Sequence, residues 1–133
     1  MTELAVRPPT ATAASAMGAR YAAGLRIGFC IDNMNVGGTE LNALRTAERL
    51  QAAGAELTVF TLTDHGPLLA RYGALGVPVE ALPIDRLYGR QAFRAGLALQ
   101  ARLRAKAIQV LHAHDFYSNI FAAPWARLTG VPF

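Results

Sequence analysis

Apolar residues change rhythm several times between Leu25 and Phe133, and each change predicts an element. Leu25–Ile31 (LRIGFCI) is a short apolar run with little alternation, the pattern of a strand covered on both faces. Asp32–Gly38 (DNMNVGG) is turn-rich and predicts a loop. From Thr39 to Ala53, Leu41, Leu44, Ala47 and Leu50 recur at helical spacing, and Gly54 stands where a helix-ending glycine belongs. Leu57–Leu62 (LTVFTL) is β-branched and apolar and predicts a second strand, after which Pro67 suits the first turn of a helix ending near Gly76. Val77–Leu82 reads as a third strand, which Pro78 and Pro83 assign to an edge or a terminus.

The second half continues the same way. A helix is predicted over Gln91–Ala105, with Phe93, Gly96, Leu97, Leu99 and Leu103 as its inward side. Ile108–His112 (IQVLH) predicts a fourth strand, and Ser118 is a candidate cap for a helix running to Leu128. Pro124 lies inside that helix and is expected to kink or shorten it. Gly130–Phe133 reads as a loop with the first residues of a fifth strand. Strands alternating with helices through short loops mean βαβ units and a parallel sheet, so the expected class is α/β, a doubly wound Rossmann-like domain over residues 25–133 that is truncated at its C-terminal end. Residues 1–24 read as a mobile leader, because no apolar stretch of roughly 7 to 15 residues follows a basic start as a secretory signal requires.

Composition narrows the function classes. At 133 residues and 53% hydrophobic, the chain is one domain with enough apolar surface for a core. It contains no uncharged apolar run of the roughly 18 residues that a spanning helix needs. The formal net charge is only +4, with a single lysine and no interleaved aromatic and basic motif, which argues against nucleic acid. The basic residues concentrate at Arg86, Arg90, Arg94, Arg102, Arg104 and Lys106; this face is expected to be solvated, and a secondary expectation is peripheral contact with anionic lipid. Cys30, alone and inside an apolar run, reads as an inert buried thiol.

In an open parallel sheet ligands bind beyond the carboxyl ends of the strands, so the loops there carry the candidate chemistry. After the first strand, Gly37 and Gly38 precede a helix start at Thr39; their free amides and the helix dipole suit a phosphate, although a tight turn alone also accounts for two glycines. The run is neither GxGxxG nor a Walker loop, which disfavours a nicotinamide dehydrogenase. After the fourth strand comes His112-Ala113-His114-Asp115, and two residues apart on a strand face the same way. The histidine pair reads as metal ligands only if further ligands join it, and His65 is the one other histidine. His112 is expected to be a hydrogen-bonded core residue. His114 is the better substrate contact, since a neutral imidazole can donate to or accept from a sugar hydroxyl. Asp115 is a further contact or a starter of the next loop.

These residues carry a resemblance. GGTE after the first strand, the LNALRTAERLQAAGAELTVFTL helix and strand, and VLHAHDFYSNIFAA at the fourth strand resemble the N-terminal domain of family 4 glycosyltransferases, the retaining enzymes of GT-B fold, over about Leu25 to Phe133. Such enzymes pair two Rossmann-like domains around a cleft, the N-terminal one mainly holding the acceptor. The resemblance implies that Gly37, Gly38 and Thr39 face the phosphates of a nucleotide-sugar donor. It puts His114 beside the transferred sugar as the catalytic candidate, with Asn33, Asp115, Phe116 and Tyr117 on the acceptor side and His112 in support. It also implies a nucleotide-sugar co-substrate and a hydroxyl acceptor, with no further cofactor. No metal is expected on ligand count, and with one cysteine and nothing that points to an oxidising compartment the expected setting is cytoplasmic, the arginine face leaving the inner membrane face as an option. The family's C-terminal donor-binding domain is not among these residues, so the chain by itself is expected to be inactive. The alternative from another class is a non-catalytic flavodoxin-like binding module, which an acidic cluster at the strand ends would favour.

Overall fold

The computed structural model describes residues 22–133. Within them lie β1 (Arg26–Ile31), α1 (Gly38–Ala52), β2 (Glu56–Thr61), α2 (Leu68–Ala74), β3 (Val79–Ala81), α3 (Arg90–Ala105), β4 (Val110–Ala113) and α4 (Phe116–Thr129). The four strands form one sheet in the order β3-β2-β1-β4, with every pairing parallel. The short β3, flanked by prolines, occupies an edge as its composition predicts. The expected leader lies outside the described residues over 1–21; its last three residues are tied down, Gly24 N–H donating to the Gly54 carbonyl at 3.2 Å.

The strand order decides where the helices go. From β1 the chain steps outward to β2 and β3, then returns to the other side of β1 to lay down β4. Helices on the outward path pack on one face, where Ala43, Leu44 and Ala47 of α1 and Leu68 and Tyr72 of α2 meet Ile27, Phe29, Leu57 and Val59. Helices α3 and α4 pack on the other, where Leu99, Leu103, Phe121 and Ala122 meet Cys30, Phe60 and Leu111. Both faces of β1 are therefore covered, which is why LRIGFCI shows no alternation. Cys30 is fully buried, and burial pushes its thiol well above the ordinary range, so it is inert as expected. The result is an α/β doubly wound, Rossmann-like sheet.

Three local expectations need correction. On α3 the inward residues are Ala92, Ala95, Gly96, Leu99 and Leu103, whereas Phe93 and Leu97 are 58% and 45% exposed. The helix has two apolar stripes, and the one of small residues turns inward because it lets α3 approach α4 closely, Gly96 lying against Trp125. Helix α4 begins earlier than predicted: its cap is Asp115, whose side chain accepts from Ser118 N–H, while Ser118 Oγ lies 3.3 Å from Asp115 N in a reciprocal capping box. Pro124 neither ends nor shortens α4, which runs on to Thr129. The carbonyl it leaves unpaired belongs to exposed Ile120, where water can reach it. Beyond α4, Leu111 N–H donates to the Pro132 carbonyl at 2.9 Å, so the chain does come alongside β4 as a fifth strand would.

Helices α3 and α4 meet at Gly96, where ring atoms of Trp125 fill the space a β-carbon would need. Overpacking a tight contact costs about 1–3 kcal/mol. Gly96→Val should lower the unfolding free energy by about 2 kcal/mol in urea denaturation. Trp125 emission should shift to the red, and an unchanged midpoint would refute this packing.

Candidate functional site

A sheet that reverses its winding opens a crevice at the switch point, here between the carboxyl ends of β1 and β4. The loops after these two strands are joined by one side chain. Asp115 Oδ1 accepts from Ser118 N–H at 2.8 Å, and Asp115 Oδ2 accepts from Asp32 N–H at 2.9 Å. The first bond caps α4, and the second clamps the end of β1. The loop after β1 is held from its other side too. Met34 is fully buried, its carbonyl accepts from Leu68 N–H at 3.0 Å, and Gly66 lies so close that a β-carbon there would sit 2.6 Å from the Met34 backbone. Asn33 Oδ1 accepts from Asn35 N–H at 3.0 Å, closing an Asx turn.

From this anchored loop the chain enters α1. Gly37 is the N-cap in extended conformation without a side-chain cap, so the first amides of α1 are left to an outside acceptor. A β-carbon on Gly37 would run into the Glu40 carboxylate, whereas one on Gly38 would meet open space. Thr39 is exposed beside them. The surroundings are acidic: burial raises the Asp32 carboxyl above its ordinary range, and the charges of Asp115 and Glu40 add to the effect.

At the end of β4 the ladder continues one step, His114 N–H donating to the Cys30 carbonyl at 3.0 Å. The His114 ring packs against Phe29 at 4.3 Å between centroids and against His112 at 4.2 Å, so the two imidazoles do face the same way. His112 departs from expectation. It is exposed and makes an edge contact with Phe29 at 5.9 Å, because no helix covers this face of β4 once α3 and α4 have both taken the other. His114 is half-buried, and its Nε2 is buried without a hydrogen-bond partner. Burial, with His112 adding to it, pulls the imidazole down to about 4 against the partial opposition of Asp115. His114 is therefore neutral at pH 7, with an unused buried nitrogen. His65 is exposed and bonded to its neighbour Asp64 at 3.1 Å, and among the described residues no three ligating side chains gather.

On the α3 and α4 side of the switch point lies a cleft of about 510 Å³, lined by Asp32, Leu62, Arg86, Tyr88 and Tyr117 among others. Tyr117 thus faces a cavity, and Phe116 stands 71% exposed against it with ring centroids 5.7 Å apart. His114, Gly37 and Gly38 do not line this cleft; Asp32, whose N–H donates to Asp115, does. Sequence reasoning missed the Asp85–Tyr88 segment that lines it. The available signal was the rule that every loop after a strand in such a sheet borders the crevice. A second hollow, about 440 Å³ and lined by Arg26, Glu56 and Lys106, lies at the opposite, N-terminal ends of the strands.

Residues 37–133 match the profile of the glycosyl transferase 4-like domain. The chain belongs to that family. Solved structures agree on the fold. MurG from Acinetobacter baumannii superposes with a TM-score of 0.67 at 17% identity, over 81% of this chain and 33% of that one. A glycosyltransferase from Rickettsia africae ESF-5 superposes with a TM-score of 0.70 at 9% identity, over 83% of this chain and 28% of that one. This glycosyltransferase-like domain thus spans a third or less of each. No curated protein matches the sequence. No helix among the described residues is long and apolar enough to cross a membrane.

Asp115→Ala should cost about 2–4 kcal/mol, combining a lost cap with an unsatisfied Asp32 amide. Asp115→Asn, with one acceptor oxygen instead of two, should fall between; equal midpoints for all three proteins in urea would remove the clamp. For His114, the unfolded chain takes up its proton near pH 6.5 but the folded domain only near about 4. The unfolded state therefore binds more protons in that window, and this residue's contribution to stability falls as pH drops from about 6.5 to about 4. His114→Phe should gain on the wild type through that window, and parallel stability profiles would contradict the assignment.

Proposed function

We propose that this domain is the acceptor-side half of a retaining glycosyltransferase, which transfers a sugar from a nucleotide-sugar to a hydroxyl acceptor and needs a second, donor-binding domain to turn over. The observation that carries the reading is the Asp115 clamp, which brings the glycine loop and the end of β4 to one switch point in a chain of the glycosyl transferase 4-like family.

The residues fall into three roles. Free amides at Gly38 and Thr39, with Gly37 as the cap, cradle donor phosphate oxygens. The neutral His114 offers Nε2 to a hydroxyl of the transferred sugar, positioning the ring rather than attacking it. Asn33, Asp115, Phe116 and Tyr117 border the acceptor, the two rings supplying flat apolar surface of the kind sugars stack on. Asp115 acts chiefly as scaffold, because both its oxygens are engaged by backbone amides.

The need for a second domain rests on charge. Departure of a nucleoside diphosphate develops negative charge that must be met by fixed positive groups. Asp32 to Glu40 contains no basic residue, and Asp32, Glu40 and Asp115 add carboxylates. Partial dipoles of amides alone do not offset a leaving diphosphate.

The test is release of nucleoside diphosphate from a panel of nucleotide-sugars by the complete two-domain protein. His114→Ala should lower turnover about 10- to 100-fold, the cost of leaving a polar partner unmatched. Gly38→Val, tolerated by the fold because the space is open, should raise the donor KM while leaving the urea midpoint near wild type. Wild-type kinetics in both variants would overturn the assignment, and transfer by the 133-residue chain alone would overturn the need for a partner domain.

A further inference from the structure

The end of β4 carries two imidazoles that the fold does not require. Val110, His112 and His114 alternate onto one face of the strand, and there Val110 packs against the core while no helix covers His112. A parallel strand beside a core ordinarily carries Val, Ile or Leu at such positions. Here two imidazole rings lie 4.2 Å apart between centroids, with 45° between their planes. Phe29 backs both of them, edge-on, at 5.9 Å from His112 and 4.3 Å from His114. It is the register partner of His112 across the β1–β4 ladder, so the wall behind the pair belongs to the sheet itself. The Nε2 atom of His114 is buried without a hydrogen-bond partner, and His112 beside it is exposed, which opens the pair to solvent from one side. Among the described residues neither ring forms an ion pair.

We infer that His112 and His114 chelate an exchangeable divalent cation of the copper or zinc class through one nitrogen of each ring. An imidazole nitrogen binds such an ion at about 2.0–2.1 Å, so two nitrogens on one ion stand no more than about 4.2 Å apart. The two rings already hold that spacing between centroids. Imidazole suits copper, zinc and nickel, whereas magnesium and calcium take oxygen ligands. The strand supplies the preorganisation: residues two apart project side by side, and His114 N–H is tied to the Cys30 carbonyl at 3.0 Å, so both ligands are presented without ordering a loop. A structural zinc centre takes four protein ligands, and among the described residues no three ligating side chains gather. Water therefore completes the coordination, and occupancy follows the concentration of the ion. The inference does not depend on glycosyl transfer, and its test uses no sugar. Where both hold, the ion takes the nitrogen proposed for the sugar hydroxyl, so its binding excludes the sugar and inhibits transfer.

The experiment is isothermal titration calorimetry of the full chain with copper(II), zinc and magnesium chlorides. Copper(II) should bind more tightly than zinc, and magnesium should not bind. His112→Ala, at an exposed position, should retain the wild-type circular dichroism spectrum while binding copper(II) at least about 10- to 100-fold more weakly, since even loss of a group that only supports a ligand costs that much. His114→Phe keeps a ring against Phe29 and should lose as much. His65→Gln, at the exposed pair with Asp64, should bind as the wild type does. Absence of copper(II) and zinc binding overturns the proposal, as does wild-type affinity in His112→Ala and His114→Phe. Loss of binding in His65→Gln alone also overturns it and assigns the ion to the Asp64–His65 pair.

Discussion

The carboxylate of Asp115 is the contact on which the geometry of this domain depends. Its two oxygens accept from backbone amides of different segments, Ser118 in α4 and Asp32 at the end of β1. Hydrogen bonds to a charged group contribute about 1.5–3 kcal/mol each, and the helix N-terminus adds a favourable dipole. One residue therefore starts a helix and fixes the neighbouring loop. A parallel β1–β4 pair brings the two strand ends near each other, but not in a defined relation. The clamp supplies that relation, and Met34, buried against Gly66, holds the loop from the other direction.

Most of the architecture was legible because its signals are local. Continuous apolar runs gave the strands, Gly54 and Gly130 end helices at positive φ as their positions suggest, and the prolines around Val79–Ala81 pointed to an edge. What failed depends on tertiary partners. Phe93 fits the helical period as well as Ala92 does, and only the close approach of α3 to α4 selects the smaller residues for the inward side. His112 alternates as a buried strand residue should, yet whether a helix lies over it is decided by strand order, which places α3 and α4 on the opposite face.

The candidate site divides along the same line. The paired glycines and His114 sit at element boundaries and could be picked out from spacing alone. Asp115 was visible too, but the reciprocal pattern that it forms with Ser118 was read as a cap at Ser118. Arg86 and Tyr88 were not legible as cleft residues, because nothing in their own segment says that it folds back beside Asp32 and Tyr117. A loop's neighbours are a property of the assembled sheet.

The electrostatics of the switch point give this arrangement a direction. The side of Asp32 towards α1 has unpaired amides and carboxylates; the side towards α3 has Arg86, Arg90 and Arg94. An anion approaching the glycine loop feels the amide dipoles at hydrogen-bond range and the carboxylates at longer range, so it is held only where it can touch the backbone and where cations from elsewhere lower the repulsion. On the proposed function, such a loop selects for ligands already partnered by positive charge. His114 fits that setting by being neutral: a protonated imidazole would form an ion pair with a phosphate, whereas a neutral one, held down by burial and by His112, is free to meet an uncharged hydroxyl. The same burial that strips the ring of its charge leaves Nε2 without a partner, and an unmatched polar atom at a strand end is the feature on which the proposed sugar contact rests.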